Sequence, residues 1–393
     1  MNFAKKLITI FFLLLLPAAG TFFGYNLGRS ECRICAPENI DFSLFWESWQ
    51  ALQEKFFDKS GLDNQKMIYG AISGMVDSLG DPYTIFFPPE ETKRFEEDVK
   101  GSFEGVGMEI DRKNDQLLII SPLEGTPAQK AGLRPGDIIL KIGDKDAADL
   151  SVEEAINSIR GPKGTEVILT IMRQGWDSPR EFKLVRQVIE VPSLKLEFKE
   201  TEGINIAYVK IYQFSENLTW EFGSAAFSIL EKQSNRIIID LRNNPGGYLE
   251  VAQDVAGWFL SKGQTVVIED FNNGQRKEYQ SEGNGLFSDY KVVLLMNKGS
   301  ASAAEILAGT LRDNRSAKLI GEKSFGKGSV QELERLSDGS SLKITVARWL
   351  TPKGQQINGF GLEPDIQAEL SEEDIQAQRD PQLDKAIEVI KGL

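Results

Sequence analysis

The sequence of 393 residues contains no histidine. This absence excludes Ser-His-Asp and Cys-His catalytic sites, and it removes the commonest protein ligand of zinc. Cysteine is scarce, because Cys32 and Cys35 are the only two and both lie near the N-terminus. One isolated Cys-x-x-Cys pair predicts a local disulfide or two free thiols, with a redox or metal-binding pair as the alternative. Nucleophilic catalysis by this chain therefore needs a base other than histidine.

Positive charge is also in short supply. The chain has 45 Lys and Arg against 58 Asp and Glu, a formal net charge of −13. A nucleic-acid partner is not expected, because phosphate binding needs clustered basic residues. The composition, 41% hydrophobic and 26% charged, is that of a folded protein, and the length predicts two or three domains. Nothing in the sequence indicates a metal ion or a cofactor.

The N-terminal residues combine basic and apolar character. Lys5 and Lys6 precede an apolar run from Leu7 to Leu16, and the apolar character continues to Leu27. This pattern predicts an export signal or a membrane anchor at residues 1–30, and it leaves open whether the segment is cleaved. Basic residues before the run place the body of the protein on the extracytoplasmic side, in a periplasm or outside the cell.

The next segment, residues 39–100, has a helical pattern. Aromatic and aliphatic residues recur at steps of three or four between Phe42 and Leu52, and further helices are predicted at Asn64 to Leu79 and Glu90 to Val99. Such a segment buries its own apolar stripe poorly, so we expect it to pack on the body or on another subunit.

Residues 101–188 change to short strands typical of a small barrel, with a helix predicted at 151–160. The string Gly105, Val106, Gly107 and Met108 stands at the head of a strand, where glycines allow backbone N–H groups to turn toward a carboxylate. With the Thr126-Pro-Ala turn and the 151–160 helix, this region resembles PDZ domains. The resemblance implies that a peptide C-terminus binds at 105–108; a barrel without a ligand is the alternative.

From residue 190 to 370, strands alternate with full-length helices, which predicts a largely parallel sheet with crossover helices. A charged helix from Glu372 to Ile390 forms a last segment, 371–393. The predicted fold class is therefore multidomain α+β. It has an N-terminal helical segment, a PDZ β-barrel, an α/β core whose alternation of strands and helices resembles the crotonases, and a C-terminal helix.

Three strings in the α/β region carry candidate chemistry. Ser300-Ala-Ser302 lies between a buried strand and a helix, where a serine is either a nucleophile or a simple helix cap. The string Asp240 to Tyr248 contains adjacent glycines that can bring a backbone N–H against a reacting carbonyl. Lys327 lies between two glycines, and burial would lower its pKa enough for it to act as a base.

Together these strings resemble the carboxy-terminal processing (tail-specific) peptidases, which join a PDZ domain to a Ser/Lys protease. The resemblance implies that Ser302 is the nucleophile and that Lys327, 25 positions later (327 − 302), is the base. It further implies that Gln331, one helical turn beyond, orients the lysine. The roles implied for other residues are an oxyanion hole made by the Ala303 N–H and a glycine of the pair Gly246 and Gly247, and acidic support from Glu305 and Asp313.

The sequence therefore predicts a serine endopeptidase that cleaves unstructured C-terminal tails of exported proteins. We expect polypeptide substrates with exposed C-termini, attachment to a membrane through the N-terminal segment, and a homodimer formed by the N-terminal and C-terminal helices. The PDZ domain is expected to gate the cleft, with Arg160 as the candidate contact between domains or, alternatively, a solvated charge. Two other functions stay open: a PDZ scaffold without turnover, and an acyl-CoA enzyme of the crotonase type.

Overall fold

The computed structural model describes residues 40–113, 116–123, 125–371, 373–374 and 377–393. The chain divides into two compact units, residues 1–70 and 71–393. The predicted signal or anchor at 1–30 and the cysteine pair lie outside the described residues. Within the described ranges, no helix combines the length and the apolar composition that crossing a bilayer requires.

The first unit is helical where it is described. Helix α1 covers Ser43–Lys55, a 3₁₀ turn covers Lys59–Gly61, and helix α2, Asn64–Asp77, begins in this unit. The predicted aromatic stripe lies on α1, where the Phe45 ring contacts the rings of Trp46 and Trp49. No residue of α1 is buried among the described residues, and Trp46 and Leu52 of this stripe are exposed.

The second unit contains the following helices and strands in chain order: β1 Ile85–Phe87, α3 Pro89–Lys100, β2 Ser102–Gly105, β3 Met108–Lys113, β4 Gln116–Pro122, α4 Pro127–Lys130, β5 Ile138–Ile142, β6 Lys145–Asp146, α5 Val152–Ile159, β7 Glu166–Met172, β8 Arg180–Val185, β9 Gln187–Glu190, β10 Leu194–Thr201, β11 Ile204–Ile211, α6 Glu216–Glu231, β12 Arg236–Asp240, α7 Leu249–Gly257, β13 Thr265–Phe271, β14 Arg276–Gln280, β15 Lys291–Met296, α8 Ala303–Arg315, β16 Lys318–Gly321, β17 Ser329–Arg335, β18 Ser341–Leu350, β19 Ile366–Gln367 and α9 Pro381–Gly392.

The small barrel is an antiparallel sheet in the order β3-β4-β5-β7-β8, with α5 beside it. Inward-facing residues alternate along its strands, as a half-buried sheet requires, and Ile119, Leu169 and Ile171 are fully buried. Helix α5 begins with the predicted capping box of Ser151 and Glu154. Strand β3 lies at the edge of the sheet, which leaves one side open to a further strand.

The two ends of this inserted barrel meet. Strand β2 pairs antiparallel with β9, and the Val191 N–H donates to the Gly101 carbonyl at 3.0 Å. The barrel is therefore joined to the rest of the unit by one close pair of strands.

The larger sheet runs in the order β10-β11-β12-β15-β16-β19, and its pairs from β11 onward are parallel. Its central strands are apolar on both faces because helices cover both. On one face Val209, Ile239 and Leu294 pack in the core that includes α6, α7 and α8. The alternate residues, such as Ile238 and Val293, pack against α9 on the other face.

The C-terminal helix starts later than the sequence predicted. It begins at Pro381, where Asp380 caps the Leu383 N–H at 3.0 Å, so the segment from 371 is not one continuous helix. Helix α9 buries Ala386 and Ile390 against the sheet of its own chain. That apolar face is therefore not free for the predicted contact between subunits.

A second sheet, antiparallel, holds one wall of the site. Its order is β1-β18-β13-β14, and β17 also pairs with β18. The sequence pattern predicts none of these antiparallel pairs, and it places residues 85–87 in the helical segment 39–100. Ile85, Phe86 and Phe87 instead form β1, because their pairing with β18 overrides the local helical pattern.

Candidate active site

The three predicted strings meet at the carboxyl end of the parallel sheet. Asn243 and Asn297, which follow neighbouring strands, exchange hydrogen bonds: the Asn243 N–H donates to Asn297 Oδ1, and Asn297 Nδ2 donates to Asn243 Oδ1, both at 2.9 Å. The Ala301 N–H donates to the Asn244 carbonyl at 2.9 Å. The third string joins them through the Phe325 N–H, which donates to the Ser300 carbonyl at 3.0 Å.

Ser302 is the residue before α8 and has φ 55° and ψ −120°. Such a positive φ in a non-glycine residue costs about 1–3 kcal/mol and is concentrated at functional sites. Ser300 has a different environment, because its hydroxyl is buried, donates to the Leu241 carbonyl at 2.8 Å and accepts from the Asn297 N–H at 2.9 Å. Of the two serines, Ser302 lines the open cleft, whereas Ser300 braces the loop.

The glycine pair lies against the serine. A Cβ on Gly246 would stand 2.6 Å from the Ser302 Cβ, and one on Gly247 would stand 2.2 Å from the Phe214 carbonyl oxygen, so both positions need glycine. The Gly246 N–H is already used, because it donates to Asn244 Oδ1 at 2.8 Å. The Gly246 carbonyl accepts from the Phe214 N–H at 2.8 Å, which turns the Gly247 N–H of the same planar peptide to the opposite side.

Lys327 stands in a loop that is tightly held. A Cβ on Gly328 would stand 2.1 Å from the Asn358 nitrogen, and the Gly326 carbonyl accepts from the Gly359 N–H at 2.9 Å. Both glycines are closely packed. They are small because the chain at 357–361 passes directly over them.

The Lys327 side chain is half-buried and its ammonium lies 5.7 Å from the centre of the Tyr83 ring. Burial lowers the pKa of Lys327, because a desolvated ammonium is disfavoured, and the charge of Glu305 opposes this shift. In the described ranges, Lys327 forms no ion pair with a carboxylate. The net effect is a lowered pKa, so the neutral amine of Lys327 is more accessible than that of an exposed lysine.

Glu305 connects the serine string to the lysine loop. Its Oε2 accepts from the N–H groups of Ser302 at 2.9 Å and Lys327 at 3.0 Å. Its Oε1 accepts from the Gly326 N–H at 2.7 Å and from the Ser324 hydroxyl. The side chain is 1% exposed, and burial raises its pKa although these hydrogen bonds oppose the rise. One buried carboxyl group thus fixes the backbone of both candidate residues.

Gln331 lies on strand β17 and not one helical turn beyond the lysine. Its side chain lines the cleft together with Ser329 and Leu333, because alternate residues of a strand share a face. The amide Nε2 donates to Ser329 Oγ at 2.7 Å and lies 3.5 Å from Thr345 Oγ1. Asp313 stands at the other end of α8, where it accepts from the Thr351 hydroxyl at 2.5 Å and the Lys353 N–H at 3.0 Å. Its contacts hold a turn outside the cleft.

Ser302, Lys327 and Gln331 line one cleft of about 540 Å³, together with Gly246 and Gly247. Helix α3 forms a further wall through Phe95, Glu96 and Val99, and the antiparallel sheet contributes Lys343 and Trp349. Sequence reasoning missed these wall residues. No local pattern in the sequence indicates that these residues face the cleft.

The predicted peptide site lies in a groove between β3 and α5, of about 160 Å³, lined by Val106, Gly107 and Met108. The Val106 carbonyl accepts from the Ala128 N–H and the Gly107 carbonyl from the Leu123 N–H, both at 2.9 Å. Because peptide groups are planar and trans, the N–H groups of Gly107 and Met108 point to the opposite side.

Arg160 ends this groove and also contacts α3. Its guanidinium lies 3.3 Å from the Glu97 carboxylate and 4.4 Å from the centre of the Phe103 ring. The contact is thus with the helix Pro89–Lys100, which lines the cleft, and not directly with the α/β core.

Comparisons with known proteins agree with this arrangement. Residues 205–368 match the model of peptidase family S41, and residues 96–172 match the PDZ domain. The chain is 35% identical over 371 residues to the carboxy-terminal processing protease CtpA of Bacillus subtilis, covering 93% of this chain and 78% of that protein. It is 36% identical over 366 residues to the carboxyl-terminal-processing protease of Synechocystis, covering 92% and 85%. The solved photosystem II D1 C-terminal processing protease is similar with a TM-score of 0.51 and 30% identity, over 83% of this chain and 92% of that one.

Proposed function

This chain belongs to peptidase family S41, and we propose that its serine-type peptidase activity uses Ser302 as nucleophile and Lys327 as general base. It is a carboxy-terminal processing serine protease with a PDZ domain, a conclusion that its relatives and its two matched domains carry. The same findings favour a peptidase over the two alternatives, a scaffold without turnover and an acyl-CoA enzyme. The observation that carries the proposed dyad is the cleft in which a strained Ser302 and a half-buried Lys327 are tied together by Glu305.

In the proposed reaction, the neutral Lys327 amine takes the hydroxyl proton as Ser302 Oγ attacks the peptide carbonyl. The carbon–nitrogen bond breaks and the proton passes to the leaving amine. Water then hydrolyses the acyl-enzyme, which frees the acyl product and restores the Ser302 hydroxyl. The Gly247 and Ala303 N–H groups are the proposed oxyanion donors. Ala303 is the first residue of α8, where N–H groups have no partner in the helix, and the Gly246 N–H is occupied.

Gln331 is proposed to support this dyad through its neighbours, since its amide bonds to Ser329 and approaches Thr345 on the wall beside Lys327. Glu305 is proposed as a positioning residue for both reacting groups. The contacts of Asp313 support a role in holding the 351–353 turn.

The test of the proposed function is incubation of the chain from residue 40 onward with an unfolded protein, with and without Ser302→Ala. Cleavage that persists unchanged in the variant contradicts the proposed nucleophile.

The proposed substrate is the unstructured C-terminal tail of an exported polypeptide. The open edge of β3 supports addition of the tail as a strand, and the N–H groups of Gly107 and Met108 are oriented to receive its carboxylate. Export, with the body periplasmic or outside the cell and the N-terminal segment as signal or anchor, is supported by the basic and apolar sequence of residues 1–30. The proposed domain bounds remain 1–30, 39–100, 101–188, 190–370 and 371–393.

Gating by the PDZ domain is supported by the contacts of Arg160. A tail that enters the groove meets Arg160, which holds Glu97 of α3, and α3 lines the catalytic cleft through Phe95 and Glu96. Burial raises the pKa of Glu97, and the positive charge of Arg160 opposes this rise. Arg160 therefore stabilises the charged form of Glu97. A shift of Arg160 toward the peptide would therefore release α3.

We expect that removing residues 102–190, whose ends pair, or substituting Arg160→Ala, relaxes the requirement for a free substrate C-terminus without abolishing cleavage. The measurement is the cleavage rate of one unfolded substrate with a free or an amidated C-terminus. Arg180→Ala, a change elsewhere on the same domain, is the matched control and should retain the preference. Equal rates for both substrates with intact and altered enzyme contradict gating.

A homodimer is proposed from the exposed stripe of α1. Phe42 is 48% exposed and Trp46, four residues later on the same face, is 61% exposed, and apolar patches of this kind mark interaction surfaces. We expect sedimentation at micromolar concentration to give a dimer and the double substitution Phe42→Asp with Trp46→Asp to give a monomer. A monomeric parent protein contradicts the proposal.

A further inference from the structure

A second lysine, Lys343, lies in the catalytic cleft with Lys327. It stands on β18 directly opposite Leu333 of β17, and the next pair on the same face joins Thr345 to Gln331. Because directly opposite residues of an antiparallel pair point to the same side, Lys343 extends along the wall that carries Gln331. The register therefore places Lys343 in the cleft that Lys327 also lines.

Two aromatic rings surround the Lys343 ammonium. It lies 5.4 Å from the centre of the Phe87 ring and 5.3 Å from that of the Phe95 ring, which are themselves stacked. Aromatic faces attract cations at such distances, and more strongly where water is partly excluded. Lys327 has one such neighbour, Tyr83, at 5.7 Å. The aromatic contacts thus favour the positive charge at Lys343 over Lys327, whereas the charge of Glu305 favours it at Lys327.

Neither lysine is neutralised by a nearby carboxylate. In the part of the chain that the structure describes, no acidic group lies within ion-pair distance of either ammonium. The acid that attracts Lys343 is Asp81, whose oxygens accept from the Tyr83 N–H and the Thr84 hydroxyl. Burial lowers the pKa of Lys343, and repulsion from Lys327 lowers it further. This repulsion is mutual, so only one of the two readily carries a proton.

The other ionisable groups of the cleft are engaged or stand on its rim. Glu96 forms an ion pair with Arg335 at 2.5 Å, and Glu269 accepts from the Tyr279 hydroxyl at 2.9 Å. The remaining ionisable groups that line the cleft are Tyr248, Glu250 and Glu332. Glu305, below the cleft, has its two oxygens filled by four donors.

We propose that Lys343 is a positioning residue of the peptidase reaction, whose positive charge keeps the neighbouring Lys327 amine unprotonated and able to accept the Ser302 proton. The inference rests on the proposed role of Lys327 as base. A cationic neighbour in a desolvated pocket is an established way to obtain a neutral catalytic lysine. The proton of Ser302 goes to Lys327, and Lys343 neither gains nor loses one.

The test is the dependence of kcat/KM on pH for the intact chain and for Lys343→Met, Lys343→Gln and Lys343→Arg. In the parent protein the rate rises with pH through the pKa of Lys327, because only the neutral amine is a base. Without the charge at 343, that pKa rises, so Met and Gln move the midpoint upward by roughly one pH unit and lower the rate at neutral pH about tenfold. Both recover toward the parent rate at alkaline pH. Arginine keeps the charge and keeps the parent midpoint.

An unchanged midpoint, with a rate reduced equally at every pH by Met and Gln, overturns the proposal and assigns Lys343 a structural role. A higher KM confined to substrates with a free C-terminal carboxylate also overturns it and makes Lys343 a substrate-binding residue. The role of Lys327 as base and the role of Lys343 can be contradicted independently. Full activity of Lys327→Arg refutes the base itself, whereas an inactive Lys327→Arg with an unshifted Lys343→Met refutes only the inference.

Discussion

Ser302→Ala and Lys327→Ala are each expected to lower kcat/KM by at least about 10⁴-fold, because each removes one half of a unit that acts together. The fold should persist. Ser302 lines an open cleft, and Lys327 has no ion pair in the described ranges, so neither side chain holds the structure together. The measurements are cleavage of an unfolded polypeptide and the thermal unfolding temperature of each variant.

Matched variants separate this dyad from its alternatives. Lys327→Arg keeps a positive charge but cannot lose a proton at working pH, so it should be as inactive as Lys327→Ala. Lys323→Ala removes an exposed lysine of the same loop, paired with Glu363 at 2.6 Å, and should remain active. Ser300→Ala should lose stability through its bond to Leu241 but keep the chemistry. An inactive Ser300→Ala beside an active Ser302→Ala would move the nucleophile to Ser300.

The parallel sheet and the meeting of the three strings could be predicted because local signals point to both. Buried strands such as Arg236–Asp240 and Lys291–Met296 are continuous apolar runs, and each ends at a candidate string. Parallel strands bring their carboxyl ends to one edge, so the strings had to converge. The missing histidine then favoured lysine as the proposed base.

The antiparallel wall could not be predicted, because its pairs join residues far apart in the chain. Strand β1 pairs with β18 across a long separation, since Phe86 lies opposite Leu342, 256 positions later (342 − 86), and no local pattern records such a contact. Gln331 was therefore assigned to a helical turn although it lies on a strand. For the same reason no local pattern indicates that Lys343 and α3 line the cleft.

The second large effect is expected for Glu305→Gln. An amide has one acceptor oxygen, whereas the carboxylate accepts from four donors, so about half of these hydrogen bonds are lost. The Ser324 hydroxyl donates to Glu305, and its oxygen accepts from the Leu362 N–H at 2.7 Å. Each lost bond to a charged group costs about 1.5–3 kcal/mol, and we expect the unfolding temperature to fall by about 5 °C or more.

Activity should fall further than stability explains. The lost bonds release the backbone of Ser302 or Lys327, and a misplacement of about 1 Å lowers a rate about 100-fold. We therefore expect kcat to drop about 100-fold at a temperature where the variant is fully folded, with little change in KM. Glu221→Gln is the matched control, because Glu221 likewise accepts from two backbone N–H groups, those of Ser193 and Leu194, but does not contact either string. If both variants lose equal stability and both keep full activity, Glu305 does not position the dyad. If only Glu305→Gln loses kcat, one buried carboxylate, remote from the substrate, sets the geometry of the reaction.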